Sequence, residues 1–244
     1  MYGLAPYLGC RPDGKMPLRF VRKGREKPLR HRVFLLSPAN LSGKRARLLL
    51  DAEADFELAI RLRSRAGLSV GEAFTFMSGL YFRGKLAYAE ALAEAPDGCG
   101  GVQVITPGRG LLPPDRCITL EELRELATVT VDLGDPRYLS PLLRDARKIG
   151  HELGPEDQAV LLGSVATGKY VDPLLEALGD RLFMPAEFVG RGDMSRGGLL
   201  LRCVASGQEL TYVPIMGAER RGKRPPRLPP LDRSSRSPGD SPGH

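Results

Sequence analysis

QAVLLGSVATGKYVD, residues 158–172, decides how the chain is read. The apolar run 159–162 is short, bounded by Gln158 and Gly163, and suits a buried strand. The loop that follows, Gly163-Ser164-Val165-Ala166-Thr167-Gly168, holds only small or β-branched residues. Lys169 and Tyr170 come next, and a helical pattern then runs over 171–178. Strand, small-residue loop and helix start leave the first N–H groups of the helix free to face an anion.

Two other strands end in a similar way. VFLL, 33–36, runs into Ser37-Pro38-Ala39-Asn40-Leu41-Ser42-Gly43-Lys44. VQVIT, 102–106, runs into Pro107-Gly108-Arg109-Gly110. Helical periodicity fills the intervals: 44–65, then 70–94 interrupted at Ser78-Gly79 and at Arg83-Gly84, as one helix or two, then 120–127 behind the capping box Thr119/Glu122. A further helix over 138–153 turns Leu142, Leu143, Ala146 and Ile149 inward. Short strands are expected at 129–133 and 181–184, and a hairpin at 199–204 and 210–214 across 205–208. Alternation of this kind predicts an α/β domain: a mainly parallel sheet, Rossmann-like, with helices on both faces and the C-terminal β-hairpin added at one edge.

The 244 residues divide by composition into a basic irregular arm (1–32), one α/β domain (33–217) and a Pro/Arg/Ser-rich tail (218–244) expected to be disordered. The net charge of +7 belongs to the ends. Residues 1–32 hold nine Lys or Arg against two acids, and 218–244 hold seven against three, which leaves the interior net acidic. The tails could therefore hold a nucleic-acid backbone, whereas the domain's overall charge gives no such support. No apolar run reaches transmembrane length, and no charged-then-apolar leader opens the chain. The four cysteines show no C-x-x-C spacing, and His151 is the one histidine inside the domain. A cytoplasmic protein without a membrane partner, a disulfide framework or a metal site is expected.

In open parallel sheets the carboxyl ends of the strands share one side, and ligands bind there. Ser37, Asn40, Ser42, Gly43, Lys44, Arg109, Gly163, Ser164, Thr167, Gly168 and Lys169 would then surround one crevice for an anionic, phosphate-bearing small molecule. Gly163-x-x-x-x-Gly168-Lys169 matches a nucleotide phosphate loop up to its last position. There Tyr170 replaces the short hydroxyl that binds magnesium, which argues against a true P-loop. A second polar loop spans 188–198, and its Arg191, Ser195 and Arg196 suit a carboxylate or phosphate. Asp193 in that loop, and Asp115 held behind Pro113-Pro114, are the candidate acid–base carboxylates. Tyr81 and Arg83 complete the set of polar candidates. No cofactor is indicated by any motif.

The segments LLSPANLSGKRA, SGLYFRGKLAYA, VITPGRGLLPPD, GSVATGKYVD and FVGRGDMSRGGLLLR together resemble a set of bacterial hypothetical proteins over 33–214, a resemblance that transfers no activity. Leu80-Tyr81, a following strand and then Gly110-Leu111-Leu112-Pro113 are similar to α/β proteins suspected of handling nucleosides or modified bases. The expectation is a hydrolase or transferase acting on a nucleotide or other phosphorylated small molecule, with glycosyl or phosphoribosyl bond chemistry run by carboxylates. The rivals are a nucleic-acid-binding or base-modifying protein that uses its basic tails, and a non-catalytic partner-binding domain whose Pro/Arg-rich ends are peptide ligands.

Overall fold

The computed structural model describes residues 30–229. The chain runs β1 (Arg32–Leu36), α1 (Lys44–Leu50), α2 (Glu57–Arg63), β2 (Leu68–Ser69), α3 (Val70–Ser78), α4 (Leu80–Leu92), β3 (Val102–Thr106), β4 (Gly110–Leu112) and β5 (Cys117–Ile118). It continues through α5 (Leu120–Ala127), α6 (Pro136–Glu152), β6 (Gln158–Leu162), α7 (Gly168–Leu178), β7 (Leu182–Pro185), α8 (Asp193–Ser206) and β8 (Tyr212–Pro214). The fold is α/β. Six strands form one sheet in the order β4-β3-β1-β6-β7-β8, and β2 pairs with β5 alone. The four central strands are parallel, while β4 and β8 run antiparallel at the two edges.

Side-chain alternation along the central strands builds two cores. Phe34, Leu36, Val104, Val160 and Leu162 face one way and meet α1–α5 and α8. Val33, Leu35, Ile105, Ala159 and Leu161 face the other way and meet α6 and α7. The chain leaves β1 toward the first layer and leaves β6 toward the second. Because β1 and β6 are neighbours, their outgoing loops part in opposite directions and open a crevice between them, the switch point where open α/β sheets bind ligands.

Local sequence explains the boundaries. Gly79, at φ 63°, separates α3 from α4 at the first expected interruption, whereas Arg83-Gly84 lies within α4, where Gly84 packs against the Gly197 backbone of α8. The expected capping box of Thr119 with Glu122 forms ahead of α5, and a second one, Ser69 with Glu72, forms ahead of α3. Thr119→Ala should cost about 1 kcal/mol in denaturant unfolding, because the Glu122 N–H loses its acceptor.

Several expectations change. The predicted helix over 44–65 is two helices, since Asp51 turns its carboxylate to the Glu53 N–H and ends α1. Residues 129–133 form no strand: β4 already pairs with the free side of β3, so this segment runs as a connection. Residues 199–204 lie within α8, where Leu200 and Cys203 turn into the core. The antiparallel pair at the C-terminal edge is present, but the partner of Tyr212–Pro214 is Leu182–Pro185. Finally, residues 218–229 have no regular structure yet lie against the domain. Arg221 donates twice to the Ala166 carbonyl, Arg220 faces Asp172 at 3.7 Å, and a Cβ on Gly190 would stand 2.2 Å from the Lys223 carbonyl oxygen. Residues 1–29 of the basic arm and 230–244 of the tail lie outside the described residues. Among the described residues no helix is long and apolar enough to cross a membrane.

Candidate functional site

A cavity of about 690 Å³ occupies the crevice at the carboxyl ends of β1, β3 and β6. The loop after β1 supplies residues 37–42, and the turn after β3 supplies Pro107. The loop and helix start after β6 supply Ser164, Thr167, Lys169 and Tyr170. Residues 129–131, from the connection that was expected to be a strand, form a wall with Ala127. Ser78 and Tyr81 enter from the α3–α4 junction, and Asp193 enters from the start of α8.

Each contributor is placed by identifiable physics. Gly163 lets the two loops touch: a Cβ there would stand 2.8 Å from the Ser37 Cβ. Thr167 occupies the N-cap of α7 without a side-chain cap bond, so the first-turn N–H groups keep no local acceptor from it. Tyr138 anchors this helix start by donating its hydroxyl to the Lys169 carbonyl at 2.7 Å. The Lys169 ammonium lies 5.0 Å from the centre of the Tyr170 ring. Asn40 is committed locally, its Oδ1 accepting from the Ser42 N–H and hydroxyl at 2.9 and 2.8 Å.

Lys85, which sequence reading passed over, and Tyr81, which it named as a polar candidate, are also here. Lys85 on α4 is 1% exposed and stands directly behind Ser37, its Nζ 2.5 Å from the Ser37 carbonyl oxygen and 2.9 Å from Oγ. Burial lowers its amine to about 7. The Tyr81 hydroxyl is buried and has no hydrogen-bond partner among the described residues. Burial pushes its phenol up, and that of Tyr170 up to about 12. A signal for Lys85 did exist. It sits four residues after Tyr81 and four before Ala89, a lysine inside the apolar stripe of a helix.

Of the residues predicted to bind or react, Ser37, Asn40, Ser42, Ser164, Thr167, Lys169 and Asp193 line this cavity. Gly163 and Gly168 belong to its loop as backbone, and Gly43 is the N-cap of α1 beside it, with Lys44 exposed. Others lie elsewhere. Arg109 is held by Glu122 at 2.6 Å and Glu125 at 2.8 Å and lines a different depression. Asp115 is exposed in a turn at the N-terminal end of α3, whereas the opposite end of that nine-residue helix, Ser78, borders the cavity. Arg191 donates to the Ser195 hydroxyl, and both line an arginine-rich depression with Arg202, Arg224 and Arg227. Arg196 is buried, donates to the Phe188 carbonyl, and approaches Asp193 at 3.4 Å. Two glycines of this segment allow close packing, Gly197 on α4 and Gly190 on the C-terminal segment.

Chemically, the cavity offers one carboxylate (Asp193), one cation (Lys169), serine and threonine hydroxyls, two phenols and an apolar wall. Among the described residues no group of three or more His, Cys, Asp or Glu side chains is placed to hold a metal ion. Comparison of the chain with protein-family models, with curated proteins and with solved structures gave no match, so this geometry alone carries the functional reading.

Proposed function

We propose that the cavity binds a nucleotide or another phosphorylated small molecule, in a Rossmann-like use of the sheet's switch point, and that the protein acts on it as a hydrolase or transferase. The observation that carries this reading is the α7 start. An uncapped helix N-terminus with Lys169 in its first turn opens into a cavity of nucleotide size. The buried Tyr81 hydroxyl, without a partner among the described residues, offers a ligand a hydrogen bond in the same space. Tyr170, Leu41, Val129 and Val131 suit the apolar or ring-bearing part of such a molecule. Asp193 is the carboxylate available for acid–base chemistry, including the glycosyl or phosphoribosyl bond chemistry that a site without histidine would use.

Thermal melting with nucleotides, nucleosides, sugar phosphates and inorganic phosphate tests this. A ligand at 100 times its dissociation constant should stabilise by about 2.7 kcal/mol, which for a domain of this size is roughly 5–10 °C. The shift should vanish in Lys169→Ala. No shift from any phosphorylated compound would overturn the reading.

One observation favours a second reading, contact with a nucleic acid. Arg191, Arg202, Arg224 and Arg227 share one depression, and Arg220 and Arg221 lie at the α7 start. This reading expects nucleic-acid affinity to fall steeply with salt, and salt-independent affinity would reject it.

A further inference from the structure

We propose that Ser37 and Lys85 form a nucleophile–base pair in the wall of the cavity, and that Ser37 attacks the phosphorus of a bound phosphoester. The substrate class rests on the reading above; the pair itself rests on its own geometry. Ser37 follows the last residue of β1, lines the cavity and is 5% exposed. Lys85 reaches it from the apolar side. Its Nζ is 2.5 Å from the Ser37 carbonyl oxygen and 2.9 Å from Oγ, and the rings of Tyr81 and Phe82 close round it at 4.6 and 4.9 Å.

An ammonium in this position would sit among a carbonyl, a hydroxyl and two ring faces, with no carboxylate in contact among the described residues. These contacts accept a neutral amine as well, and burial favours it. One N–H goes to the Ser37 carbonyl, the other faces the rings, and the lone pair is left to accept the Ser37 hydroxyl. A serine whose hydroxyl is directed at an unprotonated base is an activated nucleophile. The groups that act on Lys85 by charge both come from α8: Asp193 favours the ammonium and Arg196 opposes it. From β1 and its end it meets Ser37, and from its own helix Tyr81 and Phe82. With burial holding the amine at about 7, a useful fraction is in the base form near neutrality.

The reaction balances without a redox partner. Oγ attacks phosphorus and the Oγ–P bond forms while the hydroxyl proton passes to Nζ. The bond from phosphorus to the leaving oxygen breaks, its electron pair stays on that oxygen, and the Lys85 ammonium returns the proton to it, releasing an alcohol. Water then attacks the phosphoserine and gives its proton to the amine. The Ser37–phosphorus bond breaks, Oγ recovers the proton, and inorganic phosphate leaves. The non-bridging oxygens would face the loop after β6, whose Gly163 lies against Ser37 and whose Ser164 and Thr167 line the same cavity.

The test treats the full chain with a fluorophosphonate, which transfers its phosphonyl group to an activated serine with loss of fluoride, and maps the adduct by peptide mass spectrometry. Labelling is expected on Ser37, absent in Ser37→Ala, and slower by about 100-fold or more in Lys85→Met. The wild-type rate should rise with pH through about 7, since only the neutral amine accepts the proton. That dependence also decides the matter if Lys85→Met does not fold. No adduct, an adduct only at other residues, or a wild-type rate in a folded Lys85→Met would overturn the pair. Turnover of p-nitrophenyl phosphate supports the phosphoester assignment, and turnover of p-nitrophenyl acetate alone overturns it. Melting with inorganic phosphate separates the two claims. Labelling at Ser37 without phosphate stabilisation keeps the nucleophile and removes the phosphoester, while stabilisation without labelling does the reverse.

Discussion

Lys85→Met is expected to be more stable than the wild type near pH 7 and to lose that advantage as the pH rises. Lys85 is wholly buried, and burial lowers its amine from the ordinary lysine value to about 7. Above the ordinary value the amine is neutral in both folded and unfolded chains and imposes no charge penalty. Between that value and about 7 the unfolded chain holds a proton that the folded chain has shed, so wild-type stability rises with pH across this window. Below it both states are protonated and the penalty is complete. The wild type should therefore gain on the order of 3 kcal/mol relative to Lys85→Met from near pH 7 to near pH 9.5. Methionine matches the length of the lysine stem and carries no charge, but it leaves the Ser37 carbonyl without its Nζ donor, at a cost of roughly 1–3 kcal/mol. The two effects oppose each other, so the difference between the proteins narrows or reverses within the window. Urea unfolding of both proteins across this pH range measures it. Parallel curves would mean that Lys85 keeps its charge in the fold, supported by a partner or by water.

The stretch that displayed the fold most clearly in sequence is 158–172, because a buried parallel strand needs an unbroken apolar run and a helix start needs small and hydroxyl residues before it. The same grammar at 33–44 and 102–110 was enough to place the crevice on the shared carboxyl side of the strands. What sequence could not reveal was which of those loops stays at the crevice. The arginine in Pro107-Gly108-Arg109-Gly110 is drawn off by Glu122 and Glu125 on α5, acids that lie 13 and 16 residues away and whose approach depends on the packing of that helix. Residues 199–204 misled for a different reason. Leu199-Leu200-Leu201 is apolar enough for a buried strand, and only the tight seat of α8 on α4 makes the helix the better solution. Lys85 was visible as an anomaly, a charge in an apolar stripe, but its partner is 48 residues earlier and no local pattern joins them.

That seat of α8 on α4 yields the other large effect. Gly197→Ala should destabilise the protein, while the neighbouring Gly198→Ala should leave it unchanged or slightly improved. An added Cβ at Gly197 would stand 2.7 Å from the Leu80 carbonyl oxygen and 2.8 Å from the Tyr81 Cα; at Gly84, 2.7 Å from the Gly197 carbonyl oxygen. These obstacles are backbone atoms in helices and cannot rotate away, so the helices must separate. Overpacking of this kind costs about 1–3 kcal/mol or more, less what alanine returns in helix propensity, about 1 kcal/mol. At Gly198 the nearest atom is the Leu228 Cδ1 at 3.7 Å, ordinary contact distance, so only the propensity gain remains. The separation would also reach the cavity. Tyr81 follows Leu80 at the contact, and Asp193 begins the helix that has to move, so both lining groups shift without being mutated. Gly84→Ala should reproduce the loss from the opposite side. Because the two substitutions fill the same gap, the double variant should lose less than the sum of the single losses. Equal melting temperatures for Gly197→Ala and Gly198→Ala would show that α4 and α8 do not meet backbone to backbone, and with that the placement of Asp193 opposite Tyr81 would fail.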